Sequence, residues 1–318
     1  MINKLTILQQ SFLAEPKIRA IAALAIGVLT FGFVPILIRL GESEISATAV
    51  IFHRLWIPTI ILGLWNGLFN VRKGLDADFN RWQGLNPRTL KLLLGSGICF
   101  GLAQQIWAIS LTQTSVANSA LLHNFTPLFT ILGGWLFFTQ KFDRQFIIGM
   151  IIAIIGSIVL GVDDFLYGTN KIQGDGIALV SALFFAIYFL LIEQLRNQFS
   201  ATTIIFYCCL IGTIVVFPFL LINQERFLPS SLNGWLTVFG LAFTQLLIHL
   251  LIAYTLKWLS SGIVTVILLL EPIMSAILAG IIFAETLDFW NILAFPIIFL
   301  GIYLATTSKS GIKDEASI

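Results

Sequence analysis

The sequence predicts an all-α membrane protein whose ten transmembrane helices form two inverted five-helix repeats around a central cavity. Three observations carry this. Of 318 residues, 58% are hydrophobic and 11% charged, with a mean hydropathy of +0.94, whereas about a quarter of a soluble globular chain is charged. Apolar runs long enough to cross roughly 30 Å of hydrocarbon as helix occur ten times. The chain also repeats itself: Leu259 to Thr306, laid without gaps on Thr114 to Gly161, matches at Ser260/Ser115, Pro272/Pro127, Phe283/Phe138, Asp288/Asp143, Ile292/Ile147, Ile297/Ile152 and Gly301/Gly156. Self-similarity over such a distance decides architecture before any local reading.

A second pairing sets Ser46, Ala47, Thr48, Ile51, Phe52, Thr59 and Ile60 on Ser200, Ala201, Thr202, Ile205, Phe206, Thr213 and Ile214. The two alignments differ in offset because the polar loop Val71 to Thr89 is longer than its partner, Asn223 to Gly234. The halves therefore run over 18–162 and 174–307. Five spans per half is an odd number, so the second half crosses the membrane in the opposite sense to the first. Inverted repeats of this kind characterise secondary transporters, where two opposed halves rock about one site.

Taken in order, the predicted spans are 18–39, 47–69, 90–111, 115–138, 144–161, 174–195, 201–222, 235–256, 260–284 and 288–307. The first 17 residues, with Glu15 and Pro16, lack the pattern of a cleavable signal, so the first span is expected to direct insertion. Of the eighteen Lys and Arg residues, fourteen fall on the side of the termini, three (Arg39, Lys171, Arg226) on the other, and Arg54 lies within a span. By the positive-inside rule both termini face the cytoplasm, and a bacterial inner membrane is the expected location. Trp65, Trp82, Trp235, Trp258 and Trp290 fall near span ends or in a short loop, as an interfacial aromatic belt places them.

Other classes are disfavoured. A net charge of +2 does not suggest nucleic acid. No glycine-rich phosphate loop, metal-ligand spacing or nucleophile elbow is present, so neither an enzyme nor a bound cofactor or metal is expected. His53, His123 and His249 lie in three different spans, and Cys99, Cys208 and Cys209 sit inside apolar runs as packing residues. The informative residues are polar groups at membrane depth, costly unless they face a wet cavity or a partner. In the fourth span, helical spacing gathers Ser119, His123, Thr126, Thr130 and Gly133 on one stripe. In the ninth, Glu271 and Ser275 share the matching face, with Glu271 in the place of Thr126. Gln104 and His249 occupy one repeat position in the third and eighth spans; Gly97 and Gly101 let another helix approach near Gln104, and Gln105 and Trp107 lie within reach of a cavity. Arg54 remains charged at physiological pH and calls for an anionic group or a Glu partner. Glu193 and Arg196 read as a pair at the membrane boundary, and Glu285 and Asp288 as caps of the tenth span. Pro127 and Pro272, a repeat-related pair, free the carbonyls four residues back and should kink their helices as hinges.

The string Ala108-Ile-Ser-Leu-Thr-Gln-Thr-Ser-Val-Ala117, followed by Thr126-Pro-Leu-Phe-Thr130 and Gly156, has a partner in Ala253-Tyr-Thr-Leu-Lys-Trp-Leu-Ser-Ser-Gly262, followed by Glu271-Pro-Ile and Ala284-Glu-Thr-Leu287. This duplicated set resembles the two EamA-type domains of the drug/metabolite transporter superfamily, over about residues 20 to 307. Arg54 stands where the second helix of such domains often carries Arg. Gln140 departs from the pattern, which has an acid there, as Glu285 is in the second half. The resemblance implies a cavity between the third, fourth, eighth and ninth helices and movement of small metabolites, often amino acids or related compounds, commonly outward.

The expected function is thus a secondary transporter or facilitator of small metabolites working by alternating access in the lipid bilayer. Its substrate-binding candidates are Arg54, Gln104, Trp107, Ser119, His123, Thr126, His249, Glu271 and Ser275. Glu271, with His123 or His249, is the candidate carrier if protons couple transport, and homodimerisation is left open. A sugar-phosphate or nucleotide-sugar carrier would need several basic residues at depth, where only Arg54 stands. A non-transporting sensor subunit or membrane enzyme would need a larger polar domain than Val71 to Thr89.

Overall fold

The computed structural model describes residues 16–41, 45–69, 86–114, 116–160, 172–223, 227–284 and 289–308, and all regular structure among them is helical. The helices are α1 (Pro16–Gly41), α2 (Ala47–Phe69), α3 (Pro87–Gln113), α4 (Val116–His123), α5 (Thr126–Phe138), α6 (Arg144–Leu160), α7 (Ile172–Leu195), α8 (Ala201–Asn223), α9 (Leu232–Thr255), α10 (Ser261–Leu268), α11 (Glu271–Phe283) and α12 (Phe289–Thr306). Pairing α4 with α5 and α10 with α11 gives ten membrane spans. Nine of these carry 18 or more suitably apolar residues, and α6, with 17, is at the short end of the roughly 17–25 that cross a bilayer. Readings made for Trp82, the acids at 285 and 288 and most of the 71–89 loop fall outside the described residues.

Local chemistry sets the helix starts. Asn86 accepts the Arg88 N–H ahead of Pro87, Ser231 accepts from Gly234, and Ser260 accepts from Ile263, each satisfying a donor that the first turn cannot. Asp143 does the same for α6, accepting the Phe146 N–H at 2.7 Å.

The fourth and ninth spans hold the main departure from regular helix. Each loses regular α-helical bonding for two residues: α4 ends at His123 and α5 begins at Thr126, while α10 ends at Leu268 and α11 begins at Glu271, with Phe125, Leu269 and Leu270 between them still in right-handed helical conformation. Pro127 and Pro272 each sit in the opening turn of the second half-helix, where a missing N–H costs nothing and a fixed φ favours the helix. The α-helical ladder is thus broken just ahead of each proline, where its missing N–H and its ring free a carbonyl. The repeat extends to the backbone. Thr139 and Ala284, which correspond in the two halves, end α5 and α11 and are the non-glycine residues with positive φ among those described, at 52° and 55°.

Packing follows the duplication. Helix α7 lies along α3 and α5 as its counterpart α1 lies along α9 and α11, and α8 packs against both α2 and α3. The α3–α8 approach runs through glycines: a Cβ on Gly101 would come within 2.8 Å of the Gly212 Cα. Helices α6 and α12 pair so closely that a Cβ on Gly301 would strike the backbone of Ala153 and Gly149, and one on Gly156 the backbone of Ile298. Outward-facing positions such as Phe137, Ile222, Leu232 and Ile281 remain exposed and apolar, as a lipid-facing surface requires. Cys208 and Cys209 are buried free thiols in the core.

Because backbone rather than side chain blocks the space at Gly301, Gly301→Val should part α6 from α12 and lower stability by about 1–3 kcal/mol, read as a lower melting temperature in detergent.

Candidate functional site

Both helix breaks open onto one small cavity of about 40 Å³. It sits on the relation between the halves. His123 and Leu268, Asn124 and Leu269, Thr126 and Glu271, and Phe31 and Phe185 all line it, and each is a pair at corresponding positions of the two repeats. His249, Thr265, Phe189 and Pro127 complete the wall.

The freed carbonyl of His123 accepts a hydrogen bond from the Thr126 hydroxyl at 2.7 Å, so the first break satisfies itself. At the second break the corresponding residue is Glu271, whose carboxylate has no hydrogen-bond partner among the described residues. His123 is held by Ser181, whose Oγ lies 3.3 Å from its Nδ1, and stands edge-on to Phe185 with ring centroids 4.9 Å apart. His249 donates from Nδ1 to the Gln245 carbonyl at 2.9 Å and packs edge-on to Phe100, itself stacked on Tyr188.

Of the residues singled out from sequence, His123, Thr126, His249, Glu271 and the hinge residue Pro127 meet at the cavity. The others lie around it. The Arg54 guanidinium is buried, donates to Gln245 Oε1 at 2.5 Å and feels the Glu271 charge. Gln104 is buried with its Nε2 unpaired, and Trp107 stands 6.0 Å from the His123 ring. Ser119 shares a 2.5 Å hydrogen bond with Ser110, and Ser275 reaches the Gly32 carbonyl at 3.4 Å. Pro272 begins α11 without joining the wall.

The chain matches the EamA-like transporter family twice, over residues 18–162 and 172–307. The chain belongs to that family. Relatives span nearly the whole length: an uncharacterized transporter, YxxF, of Bacillus subtilis is 23% identical over 311 residues, 95% of this chain and 94% of the relative. The pseudopaline exporter CntI of Pseudomonas aeruginosa is 21% identical over 282 residues, 89% of this chain and 94% of its own. A crystal structure shares the fold with a TM-score of 0.74 at 16% identity, covering 91% of this chain and 98% of that one. This EamA-family chain is accordingly a multi-pass membrane transporter of a small molecule.

The two sides of the transporter's cavity differ. On the side where α1 begins and α12 ends, α5 packs against α10. There the buried Glu193 carboxylate accepts from Gln140 Nε2 at 3.0 Å and from the Ser261 N–H at 2.9 Å, and the Phe142 ring presses on Gly262. Glu193 therefore ties together the turn after α5, the end of α7 and the start of α10. Arg196, one turn on, donates to the Ala253 and Phe199 carbonyls. On the opposite side, α4 and α11, the repeat counterparts of α10 and α5, have no comparable packing with each other among the described residues. Every residue from Ser261 to Ile267 is buried, whereas in α11 Ile273 alone is.

Several wall residues escaped sequence reasoning. Phe31 and Phe185 look like ordinary lipid-facing aromatics; their repeat correspondence is the signal that could have found them. Asn124 and Thr265 are set by the breaks; Gln245, behind the wall, is set by its place one turn before His249. Gln245→Leu leaves the buried Arg54 without its acceptor and should destabilise the protein by about 2 kcal/mol, measured by thermal unfolding, with Gln245→Glu recovering most of the loss.

Proposed function

We propose that this chain is a secondary transporter that moves small amino-acid-related metabolites outward by alternating access, with substrate held between the two broken spans. One observation carries the reading: a cavity built from repeat-related residues, shut on the side of the termini by the Glu193 network, with no comparable α4–α11 packing among the described residues on the other. Such one-sided closure in an inverted repeat is what an alternating-access carrier needs. Exchange of packing between α5–α10 and α4–α11 would reverse it, with the breaks before Pro127 and Pro272 serving as hinges. Outward transport is supported by the export role of the P. aeruginosa relative, and cytoplasmic termini in a bacterial inner membrane by the distribution of Lys and Arg. A carrier of phosphorylated sugars has little support, since no Lys or Arg lines the cavity.

Purified protein in proteoliposomes should release a labelled member of an amino-acid and amino-acid-derivative panel; absence of flux with the whole panel would overturn the reading. Glu271 is the proposed proton carrier, as a lone carboxylate on the wall. Glu271→Gln should remove the response of flux to an imposed pH gradient, and an unaltered response would eliminate proton coupling at this residue.

The Glu193 network also makes a test of the closed side. Gln140→Leu deletes a hydrogen bond to a buried carboxylate, a contact of about 1.5–3 kcal/mol. In vesicles of known orientation, a thiol introduced by Asn124→Cys, with the native cysteines replaced, should then be labelled from the side of the termini about tenfold faster.

A further inference from the structure

We infer that the cavity recognises a protonated primary amine carried on an apolar body, through acceptors that the wall holds in fixed orientation. This rests on the transport reading of the same cavity and narrows the amino-acid-related substrates to those whose carboxylate is absent or masked, such as amines and esters.

The hydrogen-bond pattern assigns the acceptors. His249 gives its Nδ1 proton to the Gln245 carbonyl, which leaves Nε2 as a lone pair; that atom has no partner, and the residue is 2% exposed. Ser181 donates its one hydroxyl proton to the Ala103 carbonyl at 2.9 Å, so across the longer 3.3 Å contact it accepts from His123 Nδ1. His123 Nε2 is then a lone pair as well. The Thr126 and Thr265 hydroxyls spend their protons on the His123 and Ser261 carbonyls, leaving lone pairs. With the Glu271 carboxylate, five of the six polar side chains on the wall present acceptors. Asn124 alone offers N–H groups.

An ammonium group carries three donors and a positive charge, matching this set, and the lining side chains of Phe31, Phe185 and Phe189 suit an apolar body. A ligand carboxylate would meet lone pairs and a like charge. Arg54, the cation closest in effect to Glu271, is off the wall and engaged with Gln245. The discrimination is therefore made by mismatch against acceptors as much as by attraction.

Three probes of similar size separate the elements of this claim by titration calorimetry on the full chain in nanodiscs: 2-phenylethylamine, its N,N,N-trimethyl analogue and 3-phenylpropanoate. The amine should bind at least about tenfold more tightly than either of the others, the worth of one charge-assisted hydrogen bond. Glu271→Gln should lower the amine-to-propanoate affinity ratio by about tenfold or more, a ratio insensitive to any inactive fraction. His249→Gln, which keeps an acceptor, should bind amine better than His249→Leu. Equal or tighter binding of the propanoate overturns the inference, as does equal binding of the trimethyl compound, which keeps charge but has no N–H. If none of the three binds while proteoliposomes still carry another metabolite, the amine inference falls and the transport reading stands. If flux is absent as well, both fall.

Discussion

Everything in this fold answers to one constraint: backbone polar groups inside hydrocarbon must find partners within the protein or a wet cavity. Eight of the ten spans meet it as continuous helices. The fourth and ninth do not, because their helices stop at His123 and Leu268 and restart ahead of Pro127 and Pro272. Such breaks are tolerated where they line a cavity, and they do so here. The two breaks are nevertheless unlike. Thr126 returns its hydroxyl to the orphaned carbonyl of His123, while Glu271 stands in the same place with an acid turned to the open space. Duplication supplied the geometry, and divergence at one position supplied the charge.

Similar divergence separates the two ends of the cavity. A neutral side chain at Gln140 lets the turn after α5 approach the buried Glu193 carboxylate, which an acid at that position would repel. The departure of Gln140 from the family pattern thus has a physical account in a partner more than fifty residues away. Glu193 also receives the first N–H of α10, where a carboxylate is favoured by the helix dipole. Together with the α5–α10 packing, which has no α4–α11 counterpart among the described residues, this contact distinguishes the two sides in a fold whose halves share a plan.

Much of the site was legible and much was not. His123, Thr126, His249 and Glu271 stood out because an ionisable or polar group at membrane depth is costly without a use, and they converge. Gln104, Trp107, Ser119 and Ser275 carried the same signal yet lie off the wall, since polar groups in a bundle also serve as interhelical partners, as Ser119 does for Ser110. Arg54 calls for an acid, and besides feeling the Glu271 charge it donates to Gln245, a residue with no distinguishing mark in sequence. Glu193 and Arg196 were read together from their spacing, but each is bound into its own set of partners by the helices around it.

The sequence alone determined the membrane setting, the ten crossings and the inverted duplication, because hydropathy over twenty residues and matches at constant offset are one-dimensional properties. Periodicity could also place a proline and an acid at corresponding depths. Only tertiary structure decided which polar residues turn to the cavity and which to a neighbouring helix, and which end of the cavity is shut. Those choices depend on where helices far apart in the chain meet, and a residue's own neighbours in sequence do not carry that information.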